Sequence, residues 1–235
     1  MRWPPISNQR LRRLRRPAWL GTLRRTSPLS DVFGLDRGKP VDRRYIEGFL
    51  ARHRQDIRGR VLEVKDSHYT DSFGAGVSRR DVLDVDPTNR NATIVADLAE
   101  ADPLPSDSFD CLILTQVLQF IFPVRPAIRH GHRALRPGGV LLVTVPGISR
   151  IEPGSLSRTD HWRFTPASCR RLLEDVFGPG QVSVEAHGNV LAAIAFLTGM
   201  AQEELSPAEL DRADPNFPVV VAVRAVKRAG ASPQP

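Results

Sequence analysis

Over the first thirty residues apolar and polar positions follow no sustained period, and Pro, Arg and Ser dominate. From Val41 onward the pattern becomes regular. Val41, Tyr45, Ile46, Phe49 and Leu50 fall at helical spacing, which predicts an amphipathic helix over 41–55, with Gly59 ending it. Short apolar runs bounded by polar or turn residues then predict strands at 60–64, 81–86, 92–96 and 109–114. The run at 109–114 is apolar almost throughout, as a strand buried on both faces requires. A helix is expected over 124–135. The turn Arg136-Pro137-Gly138-Gly139 then leads into a fifth strand at 140–145, which Pro146-Gly147 stops. Thr165-Pro166 opens another helix as N-cap and N1, with Cys169, Leu172, Leu173, Val176 and Phe177 on one face and Gly178 at its end. A strand at 182–186, a capping box at Ser206-Pro207-Ala208-Glu209 and a β-branched run at 217–226 complete the pattern. Strands alternating with helices, followed by two late strands, argue for an α/β fold with a mainly parallel sheet and an antiparallel C-terminal edge.

A length of 235 residues suits one such domain, and 41% hydrophobic with 25% charged residues is ordinary for a folded protein. The longest apolar stretch, Val190 to Met200, is about half of the roughly 20 residues that span a bilayer, so no transmembrane helix is expected. Arginines without an apolar run before a cleavage site are not a secretory signal, and a cytoplasmic location follows as an expectation. Cys111 and Cys169 lie far apart, outside any CxxC or Cys/His pattern. They read as small buried apolar residues; no disulfide or metal site is expected.

Charge changes the picture of the front of the chain. Residues 1–60 carry 16 Lys/Arg against 5 Asp/Glu, while the remainder carries 17 against 21. The core is slightly acidic, and the basicity belongs to an arm, residues 1–30, where Arg10, Arg12, Arg13, Arg15, Arg16, Arg24 and Arg25 precede the first acid, Asp31. We expect a flexible basic arm at 1–30, a folded domain at 31–228 and a disordered tail at 229–235. Such an arm suits an anionic surface, phospholipid or nucleic acid, or else simply keeps the protein soluble.

Candidate chemistry belongs beyond the carboxyl ends of the strands, where open α/β sheets bind ligands. Glu63 and Asp66 follow the first strand, Asp86 ends the second, Asp97 ends the third, and Thr115, Gln116 and Gln119 follow the fourth. An acid after the second strand can accept from both hydroxyls of an adenosine ribose, and an acid or amide after the third from the adenine amino group.

The succession Val61-Leu62-Glu63-Val64, Val85-Asp86, Ala96-Asp97-Leu98, Leu104-Pro105-Ser106-Asp107-Ser108-Phe109-Asp110 and His132-Arg133-Ala134-Leu135-Arg136-Pro137-Gly138-Gly139-Val140-Leu141 resembles class I S-adenosylmethionine (SAM)-dependent methyltransferases, over roughly residues 41–177. The resemblance implies a doubly wound, seven-stranded Rossmann-like sheet and SAM as cofactor. It implies that Asp86 holds the ribose, that Asp97 and Leu98 flank adenine, and that Glu63 and the loop after it face the methionine part. Thr115 and Gln116 complete the candidate set. Asp160-His161-Trp162-Arg163-Phe164-Thr165-Pro166 is similar to a segment of bacterial methyltransferases encoded beside glycosyltransferases, which points to a glycan or glycolipid acceptor; a secondary metabolite is the other small-molecule candidate. His161 is the candidate general base. The sequence departs from the family where a Glu-x-Gly-x-Gly-x-Gly motif is usual: it reads Glu63-Val64-Lys65-Asp66-Ser67-His68-Tyr69, and the next glycine is Gly74. Either the loop takes another path, with Asp66 and Ser67 facing the cofactor, or SAM binding is weakened or lost; Lys65 places positive charge near a cationic sulfonium.

Three rivals follow from the same residues. A nucleotide-linked oxidoreductase needs a glycine-rich turn, and 65–73 contains no glycine. A degenerate scaffold in a glycan-assembly complex is favoured by the missing glycines and opposed by Asp86 and Asp97. A nucleic-acid methyltransferase is favoured by the arm and opposed by the acidic core and the lack of an Asn/Asp-Pro-Pro-Tyr-type motif.

Overall fold

A computed structural model describes residues 21–100 and 103–229. Its centre is one sheet of seven strands: β1 (Gly59–Val64), β2 (Val77–Asp84), β3 (Ile94–Val95), β4 (Phe109–Thr115), β5 (Leu135–Pro146), β6 (Val182–His187) and β7 (Val220–Val226). Their order is β3-β2-β1-β4-β5-β7-β6. The first five run parallel, and β7 is antiparallel to both β5 and β6. The doubly wound sheet with its antiparallel C-terminal edge is therefore as expected, and its strand order reverses between β1 and β4.

Alternation along the central strands builds two apolar layers, because successive side chains point to opposite faces. Leu62, Leu112, Leu114, Leu141 and Val143 pack beneath α3 (Val124–Ala134) and α4 (Pro166–Phe177), meeting Ala127, Ile128, Leu173 and Phe177. Val61, Cys111, Ile113 and Leu142 face α1 (Val41–Arg52) and α5 (Val190–Thr198), meeting Ile46, Phe49, Leu50 and Phe196. Full burial of each such Leu, Ile or Phe stabilises the fold by about 1.5–3 kcal/mol. Cys111 and Cys169 are both buried and free.

The cap signals read correctly. Thr165 accepts from the Ser168 amide at 3.1 Å with Pro166 at N1, and Ser206 accepts from the Glu209 amide at 3.3 Å to open α6 (Pro207–Asp211). Several boundaries differ. β2 starts four residues early and ends at Asp84, so Asp86 stands beyond the strand rather than ending it. β3 shrinks to two residues. β5 extends back to Leu135 because the Gly138 amide donates to Lys227 and the Lys227 amide to Gly139, tying the Pro-Gly-Gly turn to the end of β7. Two helices carry no periodic signal. One is α2 (His68–Phe73), too short for a period; the other is α5, apolar on every side.

Of the expected arm, residues 1–20 lie outside the described residues, as do 230–235 of the tail. Arg24 and Arg25 are exposed beside a short 3-10 turn at Gly21–Leu23. The Leu29 amide donates to Thr198 at 2.6 Å, and the buried Ser30 hydroxyl accepts from the Val32 and Gly34 amides. No described helix is long and apolar enough to cross a membrane.

Candidate active site

The loops after β1, β2, β4 and β5 meet at the carboxyl end of the sheet, on either side of the reversal in strand order. After β1 the chain turns at Lys65, whose φ of 77° is left-handed, the conformation a glycine adopts without strain. The Lys65 amide donates to Leu83 at 2.9 Å, and the Asn89 side chain reaches both the Lys65 carbonyl at 2.8 Å and Asp84 Oδ2 at 2.6 Å. The turn is thus fastened to the end of β2 although no glycine occupies it.

Glu63 is not free to meet a ligand. The residue is 2% exposed, and its carboxylate accepts from the Tyr69 amide at 3.0 Å, the Thr70 amide at 2.8 Å and the Thr70 hydroxyl at 2.7 Å. Burial raises its pKa in spite of these three donors. It holds the first turn of α2 and so sets the loop's path. Asp66 is exposed and accepts from the His68 amide; Ser67 donates to Asp71. Tyr69 is buried, its hydroxyl accepting from Arg43 at 2.8 Å, which braces α1 against α2, and His68 packs edge-on against the Tyr69 ring. Gly74 serves the helix end, since a Cβ there would lie 2.5 Å from the Thr70 carbonyl oxygen.

Asp86 is exposed just past β2. Its Oδ1 accepts from the Thr88 amide and hydroxyl at 2.8 and 2.7 Å, which holds the carboxyl below the usual range, with Lys65 adding to the effect. Asp84 is turned inward by comparison, accepting from Asn89 and from the Asp86 amide. Asp97 is exposed and accepts from the Ala99 amide, while Leu98 beside it is buried against the core.

At the end of β4, Thr115 and Gln116 are half-buried, and Gln116 adopts φ 54° with its amide donating to Thr144. Gln119 Nε2 donates to the Gln116 carbonyl at 3.0 Å. Among the described residues five buried side-chain polar atoms lack a protein partner, and three of them, Gln116 Nε2, Gln119 Oε1 and Arg150 Nε, lie on the segments after β4 and β5. Buried polar atoms are otherwise almost always paired, so this grouping marks a place for a polar ligand or water.

The segment after β5 closes over these glutamines. The Phe164 amide donates to Pro146, the His161 amide to Gln119 and the Trp162 indole to Ile121. Asp160, its side chain 3% exposed, forks onto Arg163 at 2.5 and 2.9 Å, and the Arg163 hydrogen bonds lower its pKa. Arg163 also donates to the Ser149 and Arg150 carbonyls, while Asp160 receives the Glu152 amide. The motif is thereby folded back on its own loop. His161 itself is exposed, its ring edge-on to the exposed Phe122 at 5.3 Å. Arg43, Asn89, Arg150 and Glu152 were not legible as site residues: Arg43 arrives from α1 through Tyr69, and the roles of Asn89, Arg150 and Glu152 on their loops depend on the non-adjacent partners Lys65, Asp31 and Asp160. Burial raises the Glu152 pKa, against the pull of Arg150, Lys65 and Arg43.

Two surface clefts lie elsewhere. One, of about 410 Å³, lies beside Arg125 and Asp175, which pair at 2.6 Å; the other, of about 350 Å³, lies at the Pro137–Val140 turn beside the Arg224–Asp56 pair. Among the described residues no group of three His, Cys, Asp or Glu could hold a metal ion.

Residues 54–143 match the family profile described as a methyltransferase domain. No curated protein matches in sequence. Similar solved structures include a SAM-dependent methyltransferase from Archaeoglobus fulgidus, 15% identical with a TM-score of 0.52, covering 79% of this chain and 94% of that one. Another is a SAM-dependent methyltransferase from Mesorhizobium loti, 19% identical with a TM-score of 0.51, covering 82% and 100%. The [4+2]-cyclase SpnF, 16% identical with a TM-score of 0.52 and covering 79% and 81%, shares the fold as well. The chain thus carries a methyltransferase domain at residues 54–143, on a fold similar to that of SAM-dependent methyltransferases.

Proposed function

We propose that the chain transfers a methyl group from SAM to an acceptor hydroxyl, a sugar of a glycan or glycolipid being the preferred acceptor. One observation carries the cofactor half of this reading. Asp86 keeps Oδ2 without a protein donor among the described residues, while Gln116 and Gln119 hold buried unpartnered polar atoms across the strand-order reversal. Asp86 would take the ribose hydroxyls, Asp97 and Leu98 would flank adenine, and Asp66 and Ser67 would face the methionine part. Thr115 and Gln116 would close the far wall. Glu63, with its oxygens engaged, acts as a positioning residue for that loop.

SAM supplies the activated methyl group, so the protein's task is alignment and removal of one proton. With SAM bound, methyl transfer to the hydroxyl oxygen would release a neutral thioether, and His161 would take the hydroxyl proton. The acceptor class rests on the Asp160–Pro166 likeness, and a hydroxylated small metabolite would meet the same chemistry. The arm at 1–30 would hold the domain, residues 31–228, against an anionic membrane surface from the cytoplasmic side. A non-catalytic scaffold is the second reading, favoured by the engaged Glu63 and the glycine-free loop. Calorimetric titration with SAM and S-adenosylhomocysteine separates them: saturable binding of both supports the enzyme, and no heat with either supports the scaffold.

A further inference from the structure

Helix α5 is built inside out. Its buried side is Ala192, Ala193, Ala195 and Phe196, while Val190, Leu191, Ile194 and Leu197 stand 48, 39, 36 and 41% exposed. Small residues let the helix lie close on α1, and the large branched ones are left as an outward stripe at i, i+1, i+4, i+7. Surface helices ordinarily bury the large residues and show polar ones to water. Val32 and Leu35, 45 and 66% exposed, stand on the loop at 29–38 that the Leu29–Thr198 hydrogen bond ties to the end of this helix. Gly34 and Gly199 permit the close wrap: a Cβ on Gly34 would lie 2.7 Å from the Met200 carbonyl oxygen, and one on Gly199 2.7 Å from that of Ser30. The loop also joins the candidate active site, since Arg150 donates to the Asp31 carbonyl and its guanidinium lies 4.1 Å over the Phe33 ring.

The occupant of this face is indicated by what is tethered beside it. Residues 1–20 hold six arginines and no acid, and Arg24 and Arg25 follow. Arg25 and Arg24 precede Leu29 by four and five residues, so they lie within at most about 18 Å of the end of α5, and the run from Arg16 back to Arg10 lies within chain reach of at most about 46 to 67 Å. An exposed apolar helix stripe tethered to a polybasic segment is the pairing that stable attachment to an anionic bilayer requires, since one weak signal alone gives only reversible binding. We propose that the outward face of α5, with Val32 and Leu35, inserts at the surface of an anionic bilayer while the arginine arm engages the lipid headgroups. The proposal rests on the arm reading above and adds the apolar partner that the arm lacks.

The test is co-sedimentation of the full chain with vesicles of phosphatidylcholine and phosphatidylglycerol, 3:1, and with phosphatidylcholine alone. The parent should bind the anionic vesicles, with binding weakened by salt. Leu191→Glu/Ile194→Glu/Leu197→Glu, and separately Gln at Arg10, Arg12, Arg13, Arg15 and Arg16, should each reduce partition at least about tenfold. Both variants should keep the parent's melting temperature and S-adenosylhomocysteine affinity. Leu197→Trp should be quenched by brominated lipid only when phosphatidylglycerol is present. Undiminished binding of the glutamate variant would overturn the α5 proposal and leave the arm reading standing. Undiminished binding of the glutamine variant, or no binding by the parent, would overturn both. A parent dimer that the glutamate variant dissolves, without vesicle binding, would assign the face to a second copy. Stronger vesicle binding after removal of residues 1–20 would assign it to the arm itself. Either result rejects the bilayer.

Discussion

The Asn89 side chain joins the Lys65 carbonyl to Asp84 Oδ2, at 2.8 and 2.6 Å, and so holds a lysine in a left-handed turn beside Asp86. Strain at the backbone and charge at the side chain can be separated here by two substitutions. Lys65→Gly removes both and should raise stability by about 1 kcal/mol, whereas Lys65→Ala removes only the charge and should not. If the lysine's charge crowds the sulfonium, both variants should bind SAM more tightly. Weaker binding in both would instead make Lys65 a partner of the methionine carboxylate.

Asp86 offers a free oxygen where the ribose hydroxyls are proposed to lie. Asp86→Ala should weaken S-adenosylhomocysteine binding about ten- to a hundredfold, the loss expected for hydrogen bonds to a charged group. Asp84→Asn should matter much less for affinity, because Asp84 is already engaged by Asn89 and the Asp86 amide. Titration of both variants decides it, and affinity within twofold of the parent for Asp86→Ala would rule out the assignment.

Glu63 is expected to act on stability first. Glu63→Ala leaves the buried Tyr69 and Thr70 amides without an acceptor and should lower unfolding free energy by about 2–4 kcal/mol, read from urea midpoints. SAM affinity should fall with it as the loop relaxes. A change under about 0.5 kcal/mol, within the scatter of ordinary surface substitutions, would show that the loop holds without this acid.

The Asp160–Arg163 fork carries a pH signature. The Arg163 hydrogen bonds lower the Asp160 pKa below the unfolded value of about 3.9. The pair's stabilisation is therefore complete above that value and is lost as pH falls through the lower folded one. Arg163→Met, which strands a buried carboxylate, should cost about 3 kcal/mol at pH 7, and the gap to the parent should shrink in strong acid. A gap independent of pH would mean that Arg163 acts through the Ser149 and Arg150 carbonyls instead.

His161 is exposed, so removing its ring should barely change stability, within about 0.5 kcal/mol. If it takes the acceptor's proton, His161→Ala should lower turnover about 10²–10⁴-fold while SAM affinity stays near the parent. Single-turnover assays with labelled SAM, after a screen of glycans and glycolipids, give both numbers. Methylation of nitrogen or carbon acceptors alone would reject the hydroxyl reading.

The sheet, its parallel body and its antiparallel edge were legible in the chain because each rests on local pattern. Apolar runs such as Phe109–Leu114 and caps such as Thr165-Pro166 are written in consecutive residues, and burial merely accepts them. The acids after the strands were likewise visible at Asp86 and Asp97. Strand ends were less so: β2 stops two residues short of Asp86 because pairing with β1 and β3, not composition, ends it.

Tertiary structure decided which polar residues remain available. Nothing local in Glu63 says that α2 will occupy both its oxygens, nor that Asn89 will fix Lys65 from another loop. Helix α5 makes the same point in the core. Its apolar residues give no period, and only packing against α1 chose the alanines and Phe196 for the inside and left Leu191, Ile194 and Leu197 facing out. Sequence determines which residues favour burial or charge; the long-range contacts determine which of those preferences the folded chain leaves unsatisfied, and there a ligand or a surface can bind.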